Sequence, residues 1–280
     1  MMPDLFVNKL TVIDFSFLDP IRGLVGESWQ ANIILKGSLD QQGMLLDFGH
    51  VKKIIKTYID DNFDHKLFIP NSKNLKKNII DDSYMEIEYI FNEKDLFFHK
   101  SPLDAIVEIE SEKITTAKCE KAISVGLLSM MPDNISELDV KLIPEHIDKA
   151  YYHYSHGLKN HDGNCQRIAH GHRSKIIIKR NNKRDEKLEA EWAEKFKDIY
   201  IGSHEDLLYE DNNQMVFQYD GSMGTFFLKI PSRKCYLLNK DTTVENIAQH
   251  IAEKLKINDP KGVFQVFAFE GIDKGAIAKN

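Results

Sequence analysis

The 280-residue chain has little of what marks several large classes of protein. No apolar run approaches the roughly 20 residues that a membrane-spanning helix needs, and the first residues lack the basic segment and apolar core of a secretory signal. Three cysteines are too few for a disulfide framework. A formal charge of −6 argues against nucleic acid as a partner. The composition therefore predicts a cytoplasmic protein with reduced thiols that contacts neither membrane nor nucleic acid.

What the chain does have is a long internal repeat. The pattern Glu-x-Ile-Asp-Lys occurs at 145–149 and at 270–274, and Lys-x-Thr-Thr occurs at 113–116 and 240–243. Segment 12–17 also matches 151–156, and segment 26–35 matches 171–178. Several matches in the same order indicate duplication. We therefore predict two copies of one unit, residues 1–149 and residues 150–280.

Each copy has the same predicted order of elements: strand, strand, helix, hairpin, helix, strand. Apolar residues spaced three and four apart follow Thr243, which predicts a helix with one buried face, and a threonine suits the N-cap. Runs rich in β-branched residues at 33–35 and 176–178 predict strands. The hairpins are predicted at 84–98 and 216–228. Together these elements indicate an α+β unit.

The second copy carries a cluster of potential metal ligands. His170 and His172 are two apart at the start of a predicted strand, so both imidazoles project from one face. His156 ends the preceding strand and supplies a third ligand. Three neutral imidazoles and one open position suit a catalytic zinc, and Cys165 beside them suits a base or nucleophile. A His-Gly-His triplet alone would more often be a pair of exposed histidines, and His153 and His161 are predicted at the surface.

The first copy has a different set of residues. Phe17, Val25 and Glu27 stand where the second copy has its three histidines, so this copy cannot hold the same metal. It has instead Gly-Met-x-x-Asp-Phe at 43–48, which opens a predicted helix, and Asp64 followed by His65. An aspartate can orient a histidine and stabilise its protonated form, although such a pair standing alone is more often a solvated turn. The second copy aligns here through residues 203–207, which lack the pair.

These motifs together resemble the 6-pyruvoyltetrahydropterin synthase and 6-carboxytetrahydropterin synthase family. The shared elements are Ser-His at 155–156, Cys165, His-Gly-His at 170–172, the 43–48 motif, Asp-His-x-Leu at 64–67, Thr-x-Glu-Asn at 243–246 and Glu270. The resemblance implies two tandem tunnelling-fold (T-fold) units, with antiparallel sheets and helices packed on one face, assembling into a barrel. It touches most of the chain, but one complete set of motifs requires both copies.

The resemblance also implies roles for individual residues. His156, His170 and His172 would bind Zn²⁺, Cys165 would shuttle protons, and Asp64 with His65 would complete the relay. Substrate contacts would come from Glu270, Thr243 and Glu245. Because a carboxylate matches the paired donors of a pterin ring, Glu270 would anchor that ring, and its copy Glu145 is equally possible. Arg173 after the His-Gly-His motif and Thr242 in place of proline depart from the family pattern.

The resulting prediction is a zinc-dependent lyase acting on 7,8-dihydroneopterin triphosphate. By analogy with bacterial-type relatives it favours 6-carboxytetrahydropterin synthase of the queuosine (7-deazaguanine) pathway. The alternatives are 6-pyruvoyltetrahydropterin synthase activity and a zinc-containing pterin- or purine-binding protein without turnover. A uricase-like enzyme ranks below these, since it needs no His-Gly-His site. Exposed strand edges predict a homo-oligomer. The sequence leaves open which Asp64 lies near which Cys165.

Overall fold

A computed structural model describes residues 4–280 of the protein. Residues 1–3, which belong to the segment predicted not to be a secretory signal, lie outside the described range. The first unit contains, in chain order, β1 (Leu5–Asp19), β2 (Gly23–Gly37), α1 (Phe48–Asn62), β3 (Leu67–Pro70), β4 (Leu75–Ile80), β5 (Tyr84–Phe91), β6 (Asp95–Pro102), β7 (Ile106–Ile109), α2 (Thr116–Leu128) and β8 (Ile135–Pro144).

The second unit repeats this order with two additional strands, at Lys183–Arg184 and Gly275–Lys279. It contains β9 (Tyr151–His156), β10 (His170–Arg180), the short β11 (Lys183–Arg184), α3 (Glu186–Lys195), β12 (Ile199–Ser203), β13 (Leu207–Asp211), β14 (Gln214–Gly221), β15 (Gly224–Pro231), β16 (Cys235–Leu238), α4 (Val244–Asn258), β17 (Phe264–Phe269) and β18 (Gly275–Lys279). The predicted duplication is therefore confirmed. The predicted elements occur in the predicted order, but short strands that the sequence did not predict lie between them, such as β3, β4 and β7 in the first unit.

The helices begin where the sequence predicts. Asp47 caps α1 by accepting a hydrogen bond from the backbone N–H of His50, and Thr243 caps α4 in the same way through the N–H of Asn246. Such caps satisfy backbone donors that have no partner within the helix. Helices α1 and α2 pack on one face of the first unit's sheet, and α3 and α4 pack on one face of the second unit's sheet.

The two main sheets are mixed rather than purely antiparallel. In the first unit the order is β7-β3-β1-β2-β8, and in the second it is β16-β12-β9-β10-β17-β18. Hairpins β1/β2 and β9/β10 are antiparallel, but β3 and β7, like β12 and β16, run parallel to their neighbours. The parallel strands arise because a helix or hairpin carries the chain across before each of them.

A third sheet joins the two units. Its order is β13-β14-β15-β6-β5-β4, so one hairpin layer from each unit meets at the β6–β15 pair, where His99 lies opposite Leu228. A cluster of buried apolar side chains lies along this junction. The two halves therefore share one hydrophobic core region in addition to their own, which fixes their relative position.

The β1/β2 and β9/β10 hairpins cross at very short range. Ser16 and Ser155, which occupy equivalent positions in the two copies, share a buried hydrogen bond of 2.7 Å. A Cβ atom on Gly26 would lie 1.8 Å from the carbonyl oxygen of Tyr154, and one on its counterpart Gly171 would lie 2.4 Å from the same atom. Only glycine permits this approach, and it brings side chains of the first unit next to the second unit's hairpin.

Candidate metal centre and proton relay

The three predicted ligands converge on one point. His156 ends β9 and lies directly opposite His170 at the start of β10, and His172 follows on the same face of that strand. Their ring nitrogens form a group in which the ligand atoms all lie within 4.8 Å of one another, and the Nε2 atoms of His156 and His172 are 3.2 Å apart. The three side chains are buried. The structure therefore brings the three predicted side chains together at one point.

Each imidazole is held through its Nδ1 atom. Nδ1 of His156 lies 2.9 Å from the backbone carbonyl oxygen of Thr242, and Nδ1 of His170 lies 2.8 Å from that of Arg167. A carbonyl oxygen only accepts hydrogen bonds, so Nδ1 carries the proton in both rings and Nε2 keeps its lone pair. Nδ1 of His172 faces the carboxylate of Asp14 at 3.2 Å. The rings are thus oriented with Nε2 toward their common centre.

The electrostatics of the pocket fit a cation. Burial, together with the neighbouring imidazoles, holds the pKa of His156 and that of His170 well below the ordinary value, so both rings are neutral. Nε2 of His170 is buried and has no hydrogen-bond partner within the described part of the chain, which is costly unless something binds it. A tetrahedral zinc with bonds of about 2.0–2.1 Å separates its nitrogen ligands by about 3.3–3.4 Å. The residues present therefore fit a zinc ion.

The predicted relay lies beside this centre within the same chain. His65 and Cys165 form with His170 a second group whose ligand atoms lie within 4.8 Å of one another. Nδ1 of His65 is 2.6 Å from the Asp64 carboxylate. Burial lowers the pKa of His65, but the hydrogen bonds to Asp64 and Cys165 outweigh it and raise the pKa to about 10. The first copy thus places its Asp-His pair against the thiol and the histidines of the second copy.

Two residues that support this arrangement were not singled out from the sequence as parts of the site. The buried Arg167 donates to the backbone carbonyl of Asp64 at 3.2 Å and to the carboxylate of Asp104 at 3.1 Å, so it ties the relay to the loop that carries Cys165. Thr242 contributes through its backbone carbonyl to His156. A contact made by a backbone carbonyl does not depend on residue type, so the sequence could not predict it. An arginine between Cys165 and His170 could have been noted from the sequence.

The four predicted substrate-binding residues are not equivalent. Glu270 follows β17, and its carboxylate lies 3.9 Å from Nε2 of His172, at the edge of the centre. Its copy Glu145 instead makes an ion pair with Lys175 at 2.6 Å. Thr243 serves as the N-cap of α4, and Glu245 in the first turn of that helix is exposed. Of the four, only Glu270 has a contact to the predicted ligands.

The first unit has a set of positions equivalent to this centre, Phe17, Val25 and Glu27, which we call the mirror centre. Phe17 lies opposite Val25 in the β1/β2 pair, in the register that His156 and His170 share in β9/β10. Glu27 takes the place of His172. The loss of all three ligands from this copy is therefore confirmed in position as well as in type.

Two sequence-based assignments were wrong. Ser16 lies opposite Leu67 in the parallel pair β1/β3, and Ser155 lies opposite Tyr200 in β9/β12. This register aligns His65 with Asp198, and both have a positive φ, 56° and 53°. The counterpart of the relay is therefore at 197–198 and not within 203–207. His153 is buried rather than at the surface, because it contacts the carbonyl oxygen of Gly26 at 2.7 Å.

Fold and site together define a class: a tandem α+β protein in which one copy presents a three-histidine centre and the other an Asp-His pair. A family model described as 6-pyruvoyl tetrahydropterin synthase matches residues 19–119 and 146–278. The chain belongs to this family, and its two units have the family's T-fold. Among the residues described, no helix combines the length and the apolar character required to cross a membrane.

Individual relatives are more distant. A Pyrococcus abyssi protein assigned to the 6-carboxy-5,6,7,8-tetrahydropterin synthases is 24% identical over 132 residues, covering 46% of this chain and 74% of its own. The 6-carboxy-5,6,7,8-tetrahydropterin synthase of Rickettsia felis is 35% identical over 60 residues, covering 21% of this chain and 44% of its own. The 6-pyruvoyl tetrahydropterin synthase of Plasmodium vivax superposes with a TM-score of 0.42 at 17% identity, over 52% of this chain and 94% of its own.

Proposed function

We propose that the protein is a zinc-dependent lyase that acts on 7,8-dihydroneopterin triphosphate and forms 6-carboxytetrahydropterin, in the queuosine pathway. The observation that carries this proposal is the convergence of three imidazoles, a thiol and an Asp-His pair in one cluster. The choice of the carboxy product is supported by the names of the Pyrococcus and Rickettsia relatives. The 6-pyruvoyl product is the first alternative.

The roles follow from the atoms available. His156, His170 and His172 would hold the zinc through Nε2, and the bound ion would act as a Lewis acid on oxygen atoms of the substrate side chain. Cys165 lies next to this position and would take a proton from the substrate carbon skeleton. His65 contacts the thiol and is held by Asp64, so it would pass protons to and from Cys165. Elimination of triphosphate needs such transfers, because a proton leaves carbon as the leaving group departs. The carboxy product requires in addition cleavage of the bond between the first and second side-chain carbons, with release of the outer two carbons as an aldehyde.

Substrate orientation would come from the strand end that borders the centre. Glu270 offers two carboxylate oxygens to the 2-amino group and ring N–H of a pterin, a bidentate match. Its position near His172 favours it over Glu145, which is occupied by Lys175. Thr243 and Glu245, as part of the family motif, are proposed to contact substrate from α4.

Assembly and location are also proposals. In the sheets described, β8 and β18 are end strands, so each has one edge that pairs with no other strand. Pairing of such edges between copies would close the barrels of the family fold. A homo-oligomer is therefore expected and is tested by light scattering on the purified chain. The reduced state expected of Cys165 supports a cytoplasmic reaction.

The test is turnover by the purified full chain loaded with zinc. Conversion of 7,8-dihydroneopterin triphosphate is followed by liquid chromatography and mass spectrometry, which separates the carboxy from the pyruvoyl product. Cys165→Ala should abolish conversion and leave the zinc content unchanged. A wild-type protein that binds zinc and dihydropterin but converts nothing would contradict the enzyme proposal and favour the non-catalytic binding protein.

A further inference from the structure

Asp14 is a buried carboxylate of the first unit that lies inside the second unit's centre. It is located on β1, at the crossing of the two hairpins, and is 2% exposed. Its Oδ1 atom lies 3.2 Å from Nδ1 of His172 and accepts a hydrogen bond from the hydroxyl of Ser28 at 2.5 Å. Its Oδ2 atom lies 2.9 Å from the ammonium group of Lys274. Nothing in the sequence motifs marks this residue.

The backbone of the same residue holds the relay. The N–H of Asp14 donates to the Asp64 carboxylate at 2.8 Å, and its carbonyl oxygen accepts from the backbone N–H of His65 at 2.7 Å. Asp64 also contacts the ring of His65 through its other oxygen. Asp14 is therefore in contact with one predicted metal ligand and with both members of the relay. A shift of this residue would move the two groups together.

The surroundings of Asp14 suit a carboxylate. The hydroxyl of Ser28 donates a hydrogen bond to Oδ1, and the ammonium group of Lys274 lies against Oδ2. The contact with His172 is within hydrogen-bonding distance, yet the ring is not aligned for a straight bond, and Nδ1 has no other partner. A carboxylate in this place stabilises the His172 tautomer that has its proton on Nδ1 and its lone pair on Nε2.

The close packing around Asp14 is specific to this side of the molecule. A Cβ atom on Gly271, which has φ of +76°, would lie 2.4 Å from the Asp14 carboxylate, so glycine is required for the turn after Glu270 to approach it. The counterpart of Gly271 in the first copy is His146, whose side chain is exposed. The turn that carries Glu270 is thus fitted to Asp14.

We propose that Asp14 is a positioning residue that the copy without metal ligands supplies to the metal centre of the other copy. It holds Nδ1–H of His172 so that Nε2 faces the zinc, and its backbone fixes Asp64 and His65 beside Cys165. This inference rests on the zinc site of the proposed function. It adds that the first copy also supplies a residue that contacts a metal ligand rather than the metal itself.

The test is the zinc affinity of the full chain, measured by competition with a chromophoric chelator. Because the loss of a carboxylate partner behind a ligating histidine typically costs 10–100-fold in metal affinity, Asp14→Ala should weaken zinc binding by about that factor. Asp14→Asn keeps an acceptor oxygen at the same place and should restore part of the affinity. Glu27→Gln, a change at the similarly buried carboxyl of the mirror centre, is the matched control and should leave the affinity unchanged.

A second readout uses the wild-type protein and does not depend on the folding of a variant. In the zinc-loaded chain with ¹⁵N-labelled histidines, the His172 ring should show a proton on Nδ1 that is protected from exchange with water. Equal zinc affinity in folded Asp14→Ala and wild type, or a rapidly exchanging Nδ1 proton, would overturn the positioning role while leaving the proposed function intact. A wild type that binds no zinc at these histidines would overturn both.

Discussion

The centre in the second unit and its mirror image in the first unit have the same backbone and opposite chemistry. In the second unit, Asp14 faces His172. Burial alone raises the pKa of the Asp14 carboxyl, but its contacts with His172 and Lys274 hold that pKa far below its ordinary range. In the mirror image the acid and the base have exchanged places: His153 stands for Asp14 and faces Glu27 at 3.9 Å. The pair thus persists where the ligands have been lost.

The protonation of the mirror pair differs as well. Burial raises the pKa of Glu27 to about 7 and lowers the pKa of His153 to about 4, so near neutral pH His153 is neutral and Glu27 is only partly ionised. Lys149, the counterpart of Lys274, is bound to Glu186 instead. A buried pair can therefore be accommodated either by reducing the charge on its members or by adding a third charge. Only the second solution leaves a carboxylate that can support a metal ligand.

The largest expected effect separates the two centres by their metal content. His170→Ala removes one of three ligands and should reduce zinc from one ion per chain to nearly none, as measured by inductively coupled plasma mass spectrometry. Val25→Ala, at the mirror position, should leave zinc at one per chain. It should cost about 2 kcal/mol of stability, because it leaves a cavity in a buried site. Equal zinc in His170→Ala and wild type would refute the ligand assignment.

The relay gives the next largest effect. Asp64→Asn keeps the shape of the side chain but removes the charge that holds His65 protonated, so turnover of 7,8-dihydroneopterin triphosphate should fall by about 10²–10⁴-fold while zinc content is kept. Lys197→Met changes the mirror counterpart of Asp64 and should leave the rate within about twofold. A normal rate in Asp64→Asn would remove the relay from the mechanism.

Residues of the site that a local sequence pattern places could be predicted, whereas residues that only tertiary contacts bring there could not. The histidines were predictable because strand alternation is local and the residue type is distinctive. The relay was predictable as a motif, but its counterpart in the second copy was misplaced. Ser-His-Glu-Asp-Leu at 203–207 resembles the relay in sequence, whereas Asp198 resembles His65 only in backbone conformation. Asp14 and Thr242 act from other parts of the chain, and local patterns carry no record of such contacts.

A smaller effect tests the protonation of the mirror pair. The folded pKa of Glu27 lies above its unfolded value, so its contribution to stability is fully present below the unfolded pKa and is lost as pH rises from about 4.5 to about 7. Glu27→Gln removes this loss and should increase the free energy of unfolding by about 2–3 kcal/mol at pH 8 and change it little at pH 4. Urea unfolding at the two pH values measures the difference. An equal effect at both would show that Glu27 does not titrate with folding.

The sheet junction offers a comparison with the charged centre, since it buries a histidine that has no hydrogen-bond partner among residues 4–280. Both ring nitrogens of His99 lack hydrogen bonds, and burial lowers its pKa to about 3. The unfolded chain therefore binds a proton that the folded chain excludes, and stability should fall as pH drops from about 6.5 toward 3. His99→Leu should recover about 1–2 kcal/mol at pH 5. Exposed His204→Leu is the control, and the same gain there would contradict the explanation.

The proposed function requires one zinc ion per chain, bound where three imidazoles of the second unit converge, next to the first unit's relay. Crystals of the zinc-loaded protein, measured on both sides of the zinc absorption edge, would locate this ion. We predict one anomalous peak per chain, bonded to the Nε2 atoms of residues 156, 170 and 172. A peak at the mirror centre, a peak bound to other side chains, or rings that diverge without a peak would contradict the account.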